Sequence, residues 1–175
     1  MNVKLPLTDG ERKNLRRHKL KIDEIPEVPS EKLASILNEP LKRAKTLVAL
    51  AEFQSVPSIG PRMAESLLDL GYFSLNELKG QDGGELADKL EILYGFWVDP
   101  CVEDVLRLAV HYAENRNSEK QWWDFKESRK TYRAKFGYLK TRPKKPAMKQ
   151  DNTQKCSFFY NNTPKITQFQ IGLLS

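Results

Sequence analysis

An internal repeat constrains the fold of this chain more than any other feature of its sequence. The segment 22–25 (Ile-Asp-Glu-Ile) aligns without gaps on the segment 75–78 (Leu-Asn-Glu-Leu), at an offset of 53 residues. Each copy has the pattern of a helix, a short extended link and a second helix, and neither copy can bury its apolar face alone. The same offset relates four further pairs of apolar residues: Leu15 with Leu68, Leu33 with Leu86, Ala34 with Ala87, and Leu37 with Leu90. The repeat therefore predicts an all-α fold, a compact helical bundle in which two such units pack around one core.

The boundaries of this bundle follow from helix signals along the chain. We expect one helical domain over residues 1–127, with repeat units at about 8–40 and 41–95 and a closing helix over 100–116. Asp99 and Pro100 mark the start of the closing helix, since an aspartate caps and a proline suits the first turn. Its apolar face comprises Val102, Val105, Leu106, Ala109, Tyr112 and Ala113. Capping-box spacing is found at three pairs: Thr8 with Glu11, Ser74 with Glu77, and Asp82 with Glu85.

The segment 56–62 reads as a tight turn between two helices. Its sequence is Val-Pro-Ser-Ile-Gly-Pro-Arg, with helical apolar spacing before and after it. Pro61 suits the first position of the second helix, and Gly60 can adopt a positive φ and approach another surface closely. A helix N-terminus carries unpaired N–H groups and a partial positive charge, so it can hold a phosphate, with Arg62 adding a full charge. The alternative is a purely structural turn.

These residues resemble the helix-hairpin-helix motif, which runs apolar, Pro, Gly, apolar, Gly, Pro or another residue, then Lys or Arg. Val56, Pro57, Ile59, Gly60, Pro61 and Arg62 match that pattern, and Ser58 stands in place of the first glycine. From roughly residue 45 to 127 the chain also resembles the small bacterial pathogenicity locus family of helix-hairpin-helix proteins, through segments 64–71, 74–80, 98–102 and 122–126. The resemblance implies a non-enzymatic, DNA-binding protein with a doubled helix-hairpin-helix, SAM-like architecture. The DNA-binding residues would then be Pro57, Ser58, Ile59, Gly60, Pro61 and Arg62.

Positive charge is concentrated in one stretch. The net charge is +6, yet residues 126–149 contain ten Lys or Arg against one acid, so this stretch carries +9 and the rest of the chain −3. Such a stripe is typical of polyanion binding, and the aromatic residues among the charges can stack on bases. The alternative is a solvated tail that only aids solubility. We expect a secondary basic patch at Lys126, Arg129, Lys130, Arg133 and Lys135.

The sequence offers no constellation for catalysis or metal binding. Two histidines and two cysteines lie without metal-ligand spacing, so we expect no catalytic residue, no metal and no cofactor. Glu103 and Asp104 are adjacent on the closing helix, which predicts surface charge. Trp97 can either fill the core or stack on a ligand. The segment 122–126 can either clamp the last helix to the bundle or form an aromatic platform beside the basic stretch.

The extension over residues 128–175 is basic and contains prolines, and its polar composition past Pro143 is typical of a linker or disordered tail. Its end, Gln170–Leu174, is similar to the short peptide by which bacterial repair and replication proteins bind the sliding clamp; docking back onto the domain is the alternative. No apolar run is long enough to span a membrane and no secretory signal is evident, so we expect a cytoplasmic location.

The sequence thus predicts non-sequence-specific DNA binding through backbone phosphates, in DNA repair, recombination or replication, by a protein that is not an enzyme. The alternative is a protein-interaction adapter whose bundle or C-terminal peptide docks on a repair or replication partner. A small nuclease or glycosylase is the third possibility, and it lacks candidate catalytic groups.

Overall fold

The computed structural model describes residues 3–116 and 118–144, and the fold of this part is an all-α bundle, as predicted. Its α-helices are α1 (Asp9–Arg17), α2 (Ser30–Leu37), α3 (Leu41–Phe53), α4 (Pro61–Asp69), α5 (Gly83–Tyr94), α6 (Pro100–Glu114) and α7 (Lys126–Phe136). Three 3₁₀ helices lie between them, at Ile22–Glu27, Leu75–Leu78 and Trp122–Phe125.

The order of elements repeats along the chain at the offset seen in the sequence. The helix α1, a 3₁₀ helix and α2 are followed later by α4, a 3₁₀ helix and α5. The links are 3₁₀ helices, not the extended segments that we expected. Both links put apolar side chains into the core: Ile25 of the first link is fully buried, and so are Leu75 and Leu78 of the second.

One long helix follows each unit and packs against it. Helix α3 contacts α2 and the first 3₁₀ helix, and α6 contacts α5 and the second. The apolar faces of these two helices are buried in the same core, which also contains Leu33, Leu37, Leu86 and Leu90. Each fully buried side chain of this size contributes about 1.5–3 kcal/mol. The core thus spans both units, as the repeat predicted.

Three of the predicted helix starts have a side-chain cap, and at α5 the Asp82 carboxylate accepts from two N–H groups of the first turn. At α1, the Thr8 hydroxyl accepts from the Glu11 N–H, and the Glu11 carboxylate accepts from the Thr8 N–H at 2.6 Å. At α6, the Asp99 carboxylate accepts from the Cys101 N–H. Ser74 differs, since its side chain makes no capping bond and the nearby Glu77 carboxylate accepts from the preceding N–H of residue 73 at 2.7 Å.

The chain after α6 forms an ordered band along the bundle, and we call residues 118–144 the strap. It starts at the 3₁₀ helix Trp122–Phe125, which packs on α6, and continues through α7 to residue 144. The boundary that we predicted between residues 127 and 128 falls inside α7. Helix α7 has no buried residue. It is therefore held by polar and aromatic contacts and not by an apolar core face.

The prediction that Glu103 and Asp104 are surface charge is wrong. The two residues are 3% and 1% exposed. Their cationic partners lie far along the sequence: Arg133 donates to Glu103 at 2.8 Å, and Arg129 donates to Asp104 at 2.8 Å. Buried charges require such partners, and the strap supplies them.

Candidate nucleic-acid interface

The hairpin between α3 and α4 is fixed by its apolar residues. Val56 and Ile59 are 2% and 5% exposed, so both side chains anchor the turn in the core. The Ile59 N–H donates to the Val56 carbonyl at 3.2 Å, and the Ala64 N–H donates to the Gly60 carbonyl at 3.0 Å. Helix α4 begins at Pro61, which occupies the first helical position as predicted. The turn is thereby held rigid while Ser58 stays exposed at its tip.

The positive φ that we associated with Gly60 lies two residues earlier. Gly60 has φ −89° and ψ 178°, an extended conformation open to any residue. Ser58 has φ 66°, in the left-handed region that favours glycine. The structure therefore explains why the resembled motif has a glycine at this position. In this chain a serine adopts that conformation.

Several backbone N–H groups at the hairpin have no hydrogen-bond acceptor among the described residues. Within the described part of the chain, the N–H groups of Ser58, Gly60 and Met63 donate to no partner. Pro57 and Pro61 contribute no N–H of their own. Unpaired N–H groups at a helix N-terminus suit an anion, because the helix dipole adds to their partial positive charge.

The side chains around the hairpin are partly engaged. The Arg62 guanidinium lies 3.5 Å from the Glu65 carboxylate, and its side chain is 26% exposed. The Ser58 hydroxyl donates to the Gln121 side-chain oxygen at 3.1 Å. Sequence reasoning missed Gln121, because 63 residues separate it from Ser58 and no motif links them. The hairpin therefore lies beside the start of the strap.

The predicted basic patch divides into two groups. Arg129 and Arg133 have side chains that are 14% and 8% exposed, and both bind buried carboxylates of the domain. They are therefore not part of a surface stripe. Lys126, Lys130 and Lys135 are exposed, and none of these three is paired with a buried carboxylate, since the partner of Lys130 is the exposed Glu127.

The electrostatics of the strap contacts follow from burial and pairing. Burial raises the pKa of Asp104, and the bond from Arg129 offsets only part of that effect. Burial opposes the charge of Arg133, but bonds to Asp88 and Glu103 outweigh it and raise the pKa of that guanidinium. The bond to Glu91 raises the pKa of Arg142 against the cost of burial. These arginines therefore stay charged, and their charges are paired with carboxylates of the domain.

The tryptophans have different environments. Trp97 does not fill the core, since it is 38% exposed; its Nε1–H donates to the Pro143 carbonyl, and the Arg142 guanidinium lies 4.8 Å from its ring centroid. Trp122 packs partly against the core, as the clamp interpretation requires. Trp123 is 56% exposed, which leaves an aromatic face open. Trp122 thus fits the clamp interpretation, and an aromatic platform at Trp123 stays a prediction.

In residues 3–116 and 118–144, no group of three His, Cys, Asp or Glu could hold a metal ion, and no helix is long and apolar enough to cross a membrane. The peptide Gln170–Leu174 lies outside the described residues.

Two comparisons with known proteins give matches. The chain is similar to the mitomycin resistance protein McrB of Streptomyces lavendulae, at 25% identity over 88 residues, which covers 50% of this chain and 83% of that protein. No solved structure matches it. The family model Cdd1, described as pathogenicity locus, matches residues 46–131, a range that includes the hairpin, the second repeat unit, α6 and half of α7. This match supports the resemblance to the pathogenicity locus family that the sequence motifs indicate.

Proposed function

We propose that this protein binds DNA without sequence specificity, through a helix-hairpin-helix element at residues 56–62. The observation that carries the proposal is the set of N–H groups of Ser58, Gly60 and Met63, which have no partner among the described residues and lie at the start of α4. A DNA phosphate can accept from such groups. The role would be in DNA repair, recombination or replication, in the cytoplasm, and it involves no catalytic step.

The geometry supports a preorganised grip. Because Val56 and Ile59 are buried, the turn holds its amides in place before a ligand arrives, and little ordering entropy is lost on binding. Arg62 adds a positive charge one residue after the start of α4. Contacts of this kind reach phosphate oxygens and not base edges, so they fix the position of DNA without reading its sequence.

The experiment removes one N–H while leaving the backbone shape close to its present one. Gly60 has φ −89° and ψ 178°, which is near the range of proline, so Gly60→Pro deletes a single donor. Gly60→Ala is the matched control, because it adds a side chain and keeps the N–H. Fluorescence anisotropy with a labelled duplex is measured for the intact chain and both variants across a salt series.

We expect Gly60→Ala to bind like the intact protein and Gly60→Pro to lose about tenfold in affinity, since a hydrogen bond to a charged group contributes about 1.5–3 kcal/mol. Arg62→Gln should lower the salt slope by about 1. Circular dichroism checks that every variant is folded. Equal duplex affinity for Gly60→Pro and Gly60→Ala would refute the hairpin as the grip. Affinity for a protein partner without any affinity for DNA would instead favour the adapter function.

A further inference from the structure

We propose that the outer face of the strap binds single-stranded DNA next to the hairpin, so that the preferred ligand is a duplex that continues into a single strand. This inference rests on the proposed function and adds the class of DNA to it. Four observations carry it: the fixed position of the strap, the sorting of its basic residues, its exposed aromatic rings, and its contact with the hairpin.

The strap is held in place by three arginines. Arg129 donates to Asp104 at 2.8 Å, Arg133 to Glu103 at 2.8 Å, and Arg142 to Glu91 at 2.6 Å. Each of these carboxylates belongs to a residue that is at most 3% exposed. The strap is therefore a fixed surface of the domain and not a tail that searches for a ligand.

The remaining basic residues of the strap face outward. Among the described residues from 126 to 144, all three arginines are half-buried and ion-paired, while all five lysines are exposed: Lys126, Lys130, Lys135, Lys140 and Lys144. The sorting agrees with the chemistry of the two side chains, because a guanidinium suits buried bidentate pairs and an ammonium is strongly hydrated. Lys130 pairs with Glu127, but both side chains are more than half exposed and such a pair is weak. A polyanion is the complementary partner for these exposed charges.

Three aromatic residues of the strap are exposed, and the ring of one of them, Tyr138 at 41%, is covered by the guanidinium groups of Arg133 and Arg142. Trp123 is 56% exposed and Phe136 is 62% exposed, whereas their neighbours Trp122 and Phe125 pack against the core. Exposed rings between cationic side chains are typical of surfaces that bind single strands, where bases stack on the rings. In a continuous duplex the bases are already stacked on one another. The aromatic rings therefore favour unpaired nucleotides over duplex.

The strap surface begins at the hairpin. The Ser58 hydroxyl at the tip of the hairpin donates to Gln121 at 3.1 Å, and Trp123 follows Gln121 by two residues. A 3₁₀ helix rises about 2 Å per residue, so the backbone of Trp123 starts within about 10 Å of the hairpin. A strand whose phosphate rests on the hairpin amides can thus continue to Trp123 and the exposed lysines that follow it, the first of which is Lys126.

The test compares three DNA ligands with the full chain: a blunt duplex, the same duplex with a single-stranded overhang of about 15 nucleotides, and the single strand alone. The double variant Trp123→Ala with Phe136→Ala removes the two most exposed rings of the strap. Phe73→Ala is the matched control, because Phe73 is 45% exposed but lies before the second 3₁₀ helix and not on the strap.

We expect the intact protein and Phe73→Ala to bind the overhang duplex at least about tenfold more tightly than the blunt duplex. The double variant should lose this preference and keep its affinity for the blunt duplex. Equal affinity of the intact protein for both ligands would overturn the inference, and so would a double variant that loses affinity for both equally. The proposed function fails separately, if Gly60→Pro and Gly60→Ala bind the blunt duplex alike.

Discussion

Among the three ion-paired arginines of the strap, Arg133 has the most buried side chain. Its side chain is 8% exposed and donates to Glu103 at 2.8 Å, to Asp88 at 3.1 Å, and to the carbonyl groups of Gly84 and Gly137 at 3.0 Å each. One guanidinium therefore joins α7 to both α5 and α6. The substitution Arg133→Met removes the charge and keeps an unbranched chain of similar reach.

The size of the effect follows from what is left behind. Glu103 keeps a second cation, because Arg107 donates to it at 2.7 Å. Asp88 has Arg133 as its one ion-pair partner in the described part of the chain, and it is 8% exposed. Removing one partner of a buried pair costs about 3–5 kcal/mol, and the second cation on Glu103 places Arg133→Met near the lower figure. If the strap detached in this variant, water would hydrate Asp88 again. The loss of stability would then not exceed the free energy that holds the strap on the domain.

The free energy of unfolding is measured by urea denaturation, and amide hydrogen exchange reports whether α7 opens before the rest. The matched control is Lys130→Met on the same helix, whose exposed pair with Glu127 should contribute almost nothing to stability. The double variant Arg133→Met with Asp88→Asn should be less destabilised than the sum of the single changes. The reasoning is refuted if Arg133→Met costs no more than Lys130→Met and the amides of α7 remain protected.

Three further outcomes follow from packing, charge and backbone geometry. Gly84→Ala should destabilise the fold by about 1–3 kcal/mol in urea denaturation, because the new Cβ would lie 2.7 Å from the Tyr132 ring. Gly10→Ala is the control and should not destabilise the fold, because its Cβ would lie 3.8 Å from the nearest atom. A hydrogen bond from Arg43 lowers the pKa of the Glu11 carboxyl below 4.5, so the stability that this bond contributes is present above that pH and is lost as the pH falls through the lowered pKa. In thermal denaturation, Glu11→Gln should therefore lose less stability in acid than the intact protein does. An unchanged acid profile would contradict the assignment. Ser58→Val should lower the midpoint of urea unfolding by more than Ser58→Gly does, since a β-branched residue is strained at φ 66°; equal midpoints would contradict that strain.

The repeat and the hairpin could be predicted because their signals are local. Apolar residues at a constant offset of 53 indicate equivalent helices, and the observed helices α4 and α5 fall where α1 and α2 predict them. Pro61 similarly fixes the start of α4, because proline is favoured at the first helical position. Patterns over short spans are enough for such features.

The strap could not be predicted from local patterns. Its arginines bind acids that lie 25 to 51 residues earlier in the sequence, and charge composition alone treats Arg133 and Lys135 as the same kind of residue. The two residues differ in burial, and burial depends on the packing of α7 against α5 and α6. The same limit explains the wrong assignment of Glu103 and Asp104 to the surface, since an acidic residue in a helix is buried only when a distant partner compensates it.

The hairpin amides themselves provide the most direct test of DNA binding. In a two-dimensional amide NMR titration of the intact protein with a short duplex, the account predicts that the resonances of Ser58, Gly60 and Met63 shift together and saturate, and that added salt reverses the shifts. If these resonances stay unchanged while the protein is saturated with DNA, the hairpin is a structural turn and the central claim is wrong.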